Sequence, residues 1–286
     1  MKVAFVVTLG LFLLLYLVSR DKYNEFIKPL DKKDYPLKQF IPAALLAMDI
    51  MGYKYRTSYD RKLLMGISEV YGAKYSQYYL RIHWGNKILY AFLGLFISFF
   101  LGVFTKPDTL YCVFCVFVTV ILACMPDKEL NKRIMERKKS IQMDFPDFLN
   151  KLTLLVNAGM TVSKAWEKVV VDSKQKGAMY EELAAAMSDI RAGKSEYRAY
   201  EEFAKRCRTP EITRAVSIIL QNLKKGNSEL VSVLRVYANE CWEMRKNTAK
   251  KLGEEASTRL LAPMMLMLVA ILLIVAAPAA ISLQNF

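Results

Sequence analysis

The chain has 286 residues with 54% hydrophobic and 24% charged, a formal net charge of +14, one histidine and five cysteines. A single histidine limits any Ser-His-Asp or Cys-His catalytic arrangement to one position, and the apolar content is high for a chain that is also this basic. The basic excess is therefore read first against membrane topology, which confines Lys and Arg to the cytoplasmic side, and only then against nucleic acid, for which the tyrosines interleaved with basic residues in 19–87 are the one further feature.

Taken in order, the first apolar run is Val3–Val18, a short transmembrane helix with an external amino terminus (residues 1–18). Lys2 precedes it, but Val18-Ser19-Arg20-Asp21 offers no small-x-small cleavage site, so a retained anchor is preferred to a secretory signal. Residues 19–87 follow as a short cytoplasmic segment. Prolines 29, 36 and 42 break its first half, and helical period returns in Pro42–Met51, Asp60–Tyr71 and Tyr75–Lys87. Its nine tyrosines lie among basic residues and read as amphipathic rings at the inner leaflet or against the second bundle. His83 beside Trp84 reads as a membrane-interface ring.

Two further runs, 88–104 and 110–125, form a hairpin closed externally by 105–109, around Pro107-Asp108. The fourth, 260–281, contains no Lys, Arg, Asp or Glu. At 1.5 Å per residue it reaches roughly 33 Å, enough for a bilayer core with some tilt. Segment 19–87 holds 13 Lys and Arg and segment 126–259 holds 26, against one in 105–109 and none in the tail 282–286. Both long segments are thus expected on the cytoplasmic side, with both termini outside.

Segment 126–259 divides into about six helices. The first, near Met143–Ala158, aligns Phe145, Phe148, Leu149, Leu152 and Val156, and Gly159 supplies its left-handed stop. Thr161 opens the second around Trp166, and the third runs near Ala178–Arg191. Gly193 ends that one, and Ser195 caps the fourth. Thr209, Pro210 and Glu211 start the fifth, with Pro210 in the first turn, and Gly226 stops it. The sixth carries Leu230, Leu234, Tyr237, Cys241, Met244 and Thr248 at steps of four and three. With no strand-like alternation of any length, an all-α fold follows: an antiparallel cytoplasmic bundle attached to four transmembrane helices.

Several chemical motifs fail on inspection. Arg191-Ala192-Gly193-Lys194-Ser195 resembles the end of a phosphate loop, but position 188 is Ser where that loop needs Gly. Cys112-Val113-Phe114-Cys115 has metal-like spacing inside an apolar run with no histidine near it. Glu181-Glu182, Glu201-Glu202 and Glu254-Glu255 are adjacent carboxylates that point apart on a helix. No catalytic residue, cofactor or metal is expected, and no enzyme. The basic residues Lys132, Arg133, Arg137, Lys138 and Lys139, just inside the third span, and Lys246 and Lys250 on the last helix are the candidate juxtamembrane or partner contacts.

The segment Phe145-Pro146-Asp147-Phe148-Leu149, then Leu154-Leu155-Val156-Asn157-Ala158-Gly159-Met160 and Ala165-Trp166, resembles the opening of the type II secretion system F domain. Gly193, Gly226-Asn227-Ser228-Glu229-Leu230, Gly253-Glu254-Glu255-Ala256-Ser257, Leu260-Leu261-Ala262-Pro263-Met264-Met265 and Ala277-Pro278-Ala279 continue the likeness, which is strongest to TadC-type platform proteins of tight-adherence pili, with TadB-type relatives close behind. The resemblance covers 143–280. It implies one full F domain in a multi-pass inner-membrane protein, a non-enzymatic platform of a pilus or type II secretion machine. By the same resemblance its partners are a cytoplasmic ATPase, a second platform protein or another copy of itself, pilin subunits and membrane lipids, with no nucleic acid. The competing reading is a transporter or channel subunit, against which the spans' lack of Lys, Arg, Asp and Glu weighs.

Overall fold

A computed structural model describes residues 2–31, 34–53, 55–104, 109–173, 177–222 and 227–284. The protein is an all-α membrane protein, and no strand occurs among the described residues. Ten α-helices run in the order α1 (Lys2–Ile27), α2 (Ile41–Met51), α3 (Ser58–Tyr71), α4 (Ser76–Phe104), α5 (Thr109–Asn157), α6 (Val162–Asp172), α7 (Ala178–Arg191), α8 (Glu196–Cys207), α9 (Pro210–Asn222) and α10 (Asn227–Gln284). The chain divides into two compact units, 1–137 and 138–286.

Among the described residues, three helices are long and apolar enough to cross a membrane: α4, α5 and α10. Helix α1 contains a shorter apolar stretch, Phe5–Ser19, and the first of the four expected spans is not among these three. The expected turn 105–109 lies, apart from Thr109, outside the described residues, as does Gly226. One expected boundary is absent. The third span and the first bundle helix, separated in the sequence reading by 126–142, are one 49-residue helix, α5. The intervening run is rich in Lys, Glu, Arg, Met and Leu, all good helix formers, and Pro126 removes only one backbone donor. The 58 residues of α10 join the sixth bundle helix to the fourth span, where the sequence offers no linker.

In the first unit, α1, α2 and α4 enclose a core of Tyr23, Ile27, Ile41, Ala44, Leu45, Ile82 and Leu89. A second cluster, Leu63, Ile67, Leu80 and Leu130, joins α3, α4 and α5. Helices α4 and α5 touch closely at Gly94, where an added Cβ would stand 2.9 Å from the Thr119 Cα. Only a residue without a side chain permits that backbone approach.

The second unit packs around Trp166, which is fully buried. Its indole stacks on Tyr200 with centroids 4.6 Å apart, meets Phe148 (4.8 Å) and Phe203 (5.1 Å) edge to face, and donates from Nε1 to the Leu183 carbonyl at 3.4 Å. One side chain thus ties together α5, α6, α7 and α8. The seam of α10 closes the unit, with Leu230, Leu234, Tyr237 and Cys241 all buried.

The short connections follow from capping. After α5, the Met160 N–H reaches the Leu155 carbonyl (3.1 Å) and the Gly159 N–H the Val156 carbonyl (3.0 Å), with Gly159 at φ +91°. The same paired bonds end α7, from Lys194 to Asp189 and from Gly193 to Ile190, with Gly193 also at +91°. This is the Schellman arrangement, which satisfies carbonyls a helix end would leave orphaned. Thr161 and Ser195 accept from the N–H groups of Lys164 and Arg198, capping α6 and α8. Pro210 is the first residue of α9. Thr209 departs from the expected side-chain cap: its carbonyl accepts from the Thr213 N–H at 3.1 Å, while its buried hydroxyl has no partner among the described residues.

Two stability changes follow. An added side chain at Gly159 meets nothing within 4 Å, so the cost of Gly159→Val is conformational strain, expected at roughly 1–2 kcal/mol. Trp166→Ala opens a cavity among four helices and should cost about 3–5 kcal/mol. Thermal unfolding of the purified protein checks both. A Trp166→Ala change smaller than that of Gly159→Val would show that the aromatic contacts do not organise the unit.

Candidate functional site

Two polar clusters lie where the first unit's helices approach their apolar stretches. In one, α3 presents Asp60, only 1% exposed, and its carboxylate collects four donors. Thr57 gives its N–H (2.9 Å) and its hydroxyl (2.7 Å), Tyr53 its hydroxyl (2.9 Å) and Trp84 of α4 its indole N–H (2.8 Å). The Asp60 N–H in turn donates to the Thr57 hydroxyl at 3.1 Å, completing a capping box at the start of α3. Burial opposes ionisation of this carboxyl, but the bonds from Thr57, Tyr53 and Trp84 outweigh it and hold its pKa below the ordinary 3.8.

In the other, Asp127 of α5 accepts from Lys87 Nζ at 2.7 Å and pairs with His83 Nε2 at 2.9 Å, both from α4. Lys87 also donates to the Tyr59 hydroxyl at 2.7 Å and stands 4.6 Å from the centre of that ring. His83 is therefore not an interfacial ring: at 6% exposure it is a buried partner of a carboxylate 44 residues away. Its position just below the span is what suggested the interface, and nothing local in the sequence announces Asp127.

Asp49 of α2 forms a third junction. Arg81 binds both its oxygens at 2.7 and 2.8 Å, and the Tyr23 hydroxyl donates to it. Burial and the bond to Asp49 push the Tyr23 phenol up to about 12.

The basic residues singled out from the sequence are not equivalent. Arg133 is turned inward, contacting Asp34 Oδ2 (3.2 Å), Glu129 (3.3 Å) and the Tyr71 hydroxyl (2.8 Å). Lys132 and Lys139 are exposed, and Arg137 and Lys138 are half-buried. Lys246, exposed on α10, stands 3.8 Å from Glu243, and Lys250 is exposed on the same helix. Charged residues also join elements within the second unit. Arg206 of α8 reaches Glu182 (2.6 Å) and Asp189 (3.5 Å) of α7, and the Tyr237 hydroxyl of α10 donates to the Glu211 carbonyl of α9 at 2.8 Å.

Chemically, these clusters are saturated. Each carboxylate named is engaged by donors of the chain itself, and among the described residues no group of three or more His, Cys, Asp or Glu side chains stands close enough to hold a metal. What the arrangement does is fix helices to one another beside the bilayer.

An α-helical bundle that runs without a break into an apolar stretch defines the class: an all-α membrane protein with a helical bundle. Residues 148–278 match the family described as "Type II secretion system (T2SS), protein F", so that part of the chain is similar to the F domain of that family. The match begins at Phe148, beside Trp166, and ends inside the apolar half of α10, so it joins the bundle and the span in one unit. A search of curated proteins and one of solved structures found no match.

The Asp60 cluster carries a pH dependence of known sign. Because the folded pKa lies below the unfolded one, the stabilisation is full well above pH 3.8 and is lost as pH falls through the folded value. Asp60→Asn should therefore lower the unfolding temperature at pH 7 and narrow its difference from the parent below about pH 3. A difference that stayed constant across that range would contradict the bonding described.

Proposed function

We propose that this protein is a non-enzymatic inner-membrane platform of a tight-adherence type IV pilus, or of a related type II secretion machine, with a TadC-like or TadB-like role. It couples a cytoplasmic ATPase to the extraction of pilin subunits from the bilayer and their addition to a filament. The observation that carries this reading is the F-family match at 148–278, which spans the bundle and enters the apolar half of α10. Its partners are the ATPase, a second platform protein or another copy of itself, pilin subunits and membrane lipids.

The topology belongs to the same proposal. Four spans place both termini outside and residues 19–87 and 126–259 in the cytoplasm, as the distribution of Lys and Arg favours. The exposed basic residues Lys132, Lys139, Lys246 and Lys250 then face the anionic inner leaflet or a cytoplasmic partner. Gly159, Gly193 and Pro210 keep the bundle's connections short, so that force on its helices is not absorbed in loops.

The working part in this mechanism is α10. A helix that leaves the bundle and enters lipid without a joint passes displacement of the bundle to the bilayer as nearly rigid motion. Inserting two glycines after Lys251 interrupts that path, at about 2 kcal/mol of helix penalty and a rotation of roughly 200° between the halves. The variant should still insert and retain the ATPase on co-purification, yet build no filaments. Normal filaments from it would refute transmission through α10. Loss of neither filaments nor secretion on deleting the whole gene would refute the platform function.

A further inference from the structure

In the first unit an apolar cavity of about 230 Å³ opens between α1, the 3-10 turn Lys38–Phe40 and α4. Phenylalanines 12, 40, 92 and 96 contribute four of its walls. Phe12 lies against Phe40 (centroids 5.9 Å) and Phe92 (6.4 Å), and Phe96 is braced from behind by Phe5 at 5.0 Å. Rings from three elements hold one another apart, so the space does not close by a rotamer change. Its single polar lining side chain, Thr8, gives its hydroxyl to the Phe5 carbonyl at 2.9 Å. A water molecule needs two to four polar partners, so the cavity is dry.

The mouth lies where Leu93 is 37% exposed, between the apolar stretches of α1 and α4. What borders it there is hydrocarbon, provided those helices cross the bilayer as proposed above. Along α4 the lining runs from Leu89 to Phe96, about 10 Å, beginning at the end of the span that adjoins residues 19–87. A groove of that length and volume excludes an α-helix, whose diameter with side chains is about 10–12 Å, and accepts a single flexible chain.

We propose that this cavity takes one acyl chain of a phospholipid from the leaflet bordering residues 19–87, held as a structural lipid rather than exchanged as part of the surrounding annulus. The lipid completes the packing of α1 on α4, where no described side chain fills the space.

The test uses the full-length protein in vesicles of phosphatidylethanolamine and phosphatidylglycerol containing a small fraction of phospholipid with a diazirine at mid-chain. After irradiation, labelled peptides are quantified by mass spectrometry. The comparison surface is α5 at Val113, Val116 and Phe117, which are apolar and more than 60% exposed. A bound chain labels 89–96 at least fivefold more than 113–117 in the unaltered protein, and Leu93→Trp, which fills the cavity, brings the two to parity. Equal labelling in the unaltered protein means annular lipid only and overturns the proposal without touching the membrane reading. No label on either helix overturns both. Should Leu93→Trp fail to insert, the ratio in the unaltered protein still decides.

Discussion

Inside a bilayer no water is present to satisfy backbone N–H and C=O groups, so a chain that crosses must carry its own hydrogen bonds through the hydrocarbon. In this protein two helices long and apolar enough to cross continue those bonds well beyond their apolar stretches, α5 over 49 residues and α10 over 58. Each carries an apolar stretch at one end and bundle positions at the other. The bundle of the second unit therefore does not hang from its last span by a linker, because its closing helix is that span.

Two different kinds of interaction lock the rest. In the second unit the lock is apolar: Trp166 is buried among rings of α5 and α8, and its loss is set against several kcal/mol of transfer and cavity energy. Exposed ion pairs such as Arg214 with Glu240, 61% and 46% exposed, add at most about 1 kcal/mol and do not decide the fold. In the first unit the polar groups matter more. Asp60 and Asp127 sit where desolvation would penalise a lone charge, and removing one donor there leaves a buried carboxylate unsatisfied. Trp84, His83 and Lys87 among their partners come from α4, so these bonds tie α3 and α5 to that helix.

Much of this was legible locally. The left-handed glycines 159 and 193 stand after apolar stripes, Thr161 and Ser195 stand before them, and the step of four and three on α10 gives its buried face. The match to the F family extends the same signals over 148–278. What was not legible is whatever depends on distant residues, together with the continuity of α5. The end of the apolar run at 125 and the basic residues after it read as a boundary, yet propensity and the buried positions Leu130 and Ile141 carry the helix through. The pairing of His83 with Asp127 and the inward turn of Arg133 toward Asp34 join residues 44 and 99 apart, with no periodic signal between them. The Thr209 hydroxyl is a smaller case, in which a residue of the right type stands before Pro210 and its backbone alone takes part in the helix start.

The central claim is that α10 is one helix from the bundle into the span, and a distance measurement tests it most directly. Spin labels at Val236, exposed on the bundle part, and at Met264, exposed on the apolar part, are separated by 28 residues. A continuous helix places them about 42 Å apart. Pulsed electron–electron resonance on the full-length protein in lipid nanodiscs should give one narrow distribution near that distance. A broad distribution, or one centred well below it, would mean a joint between bundle and span and would contradict the account.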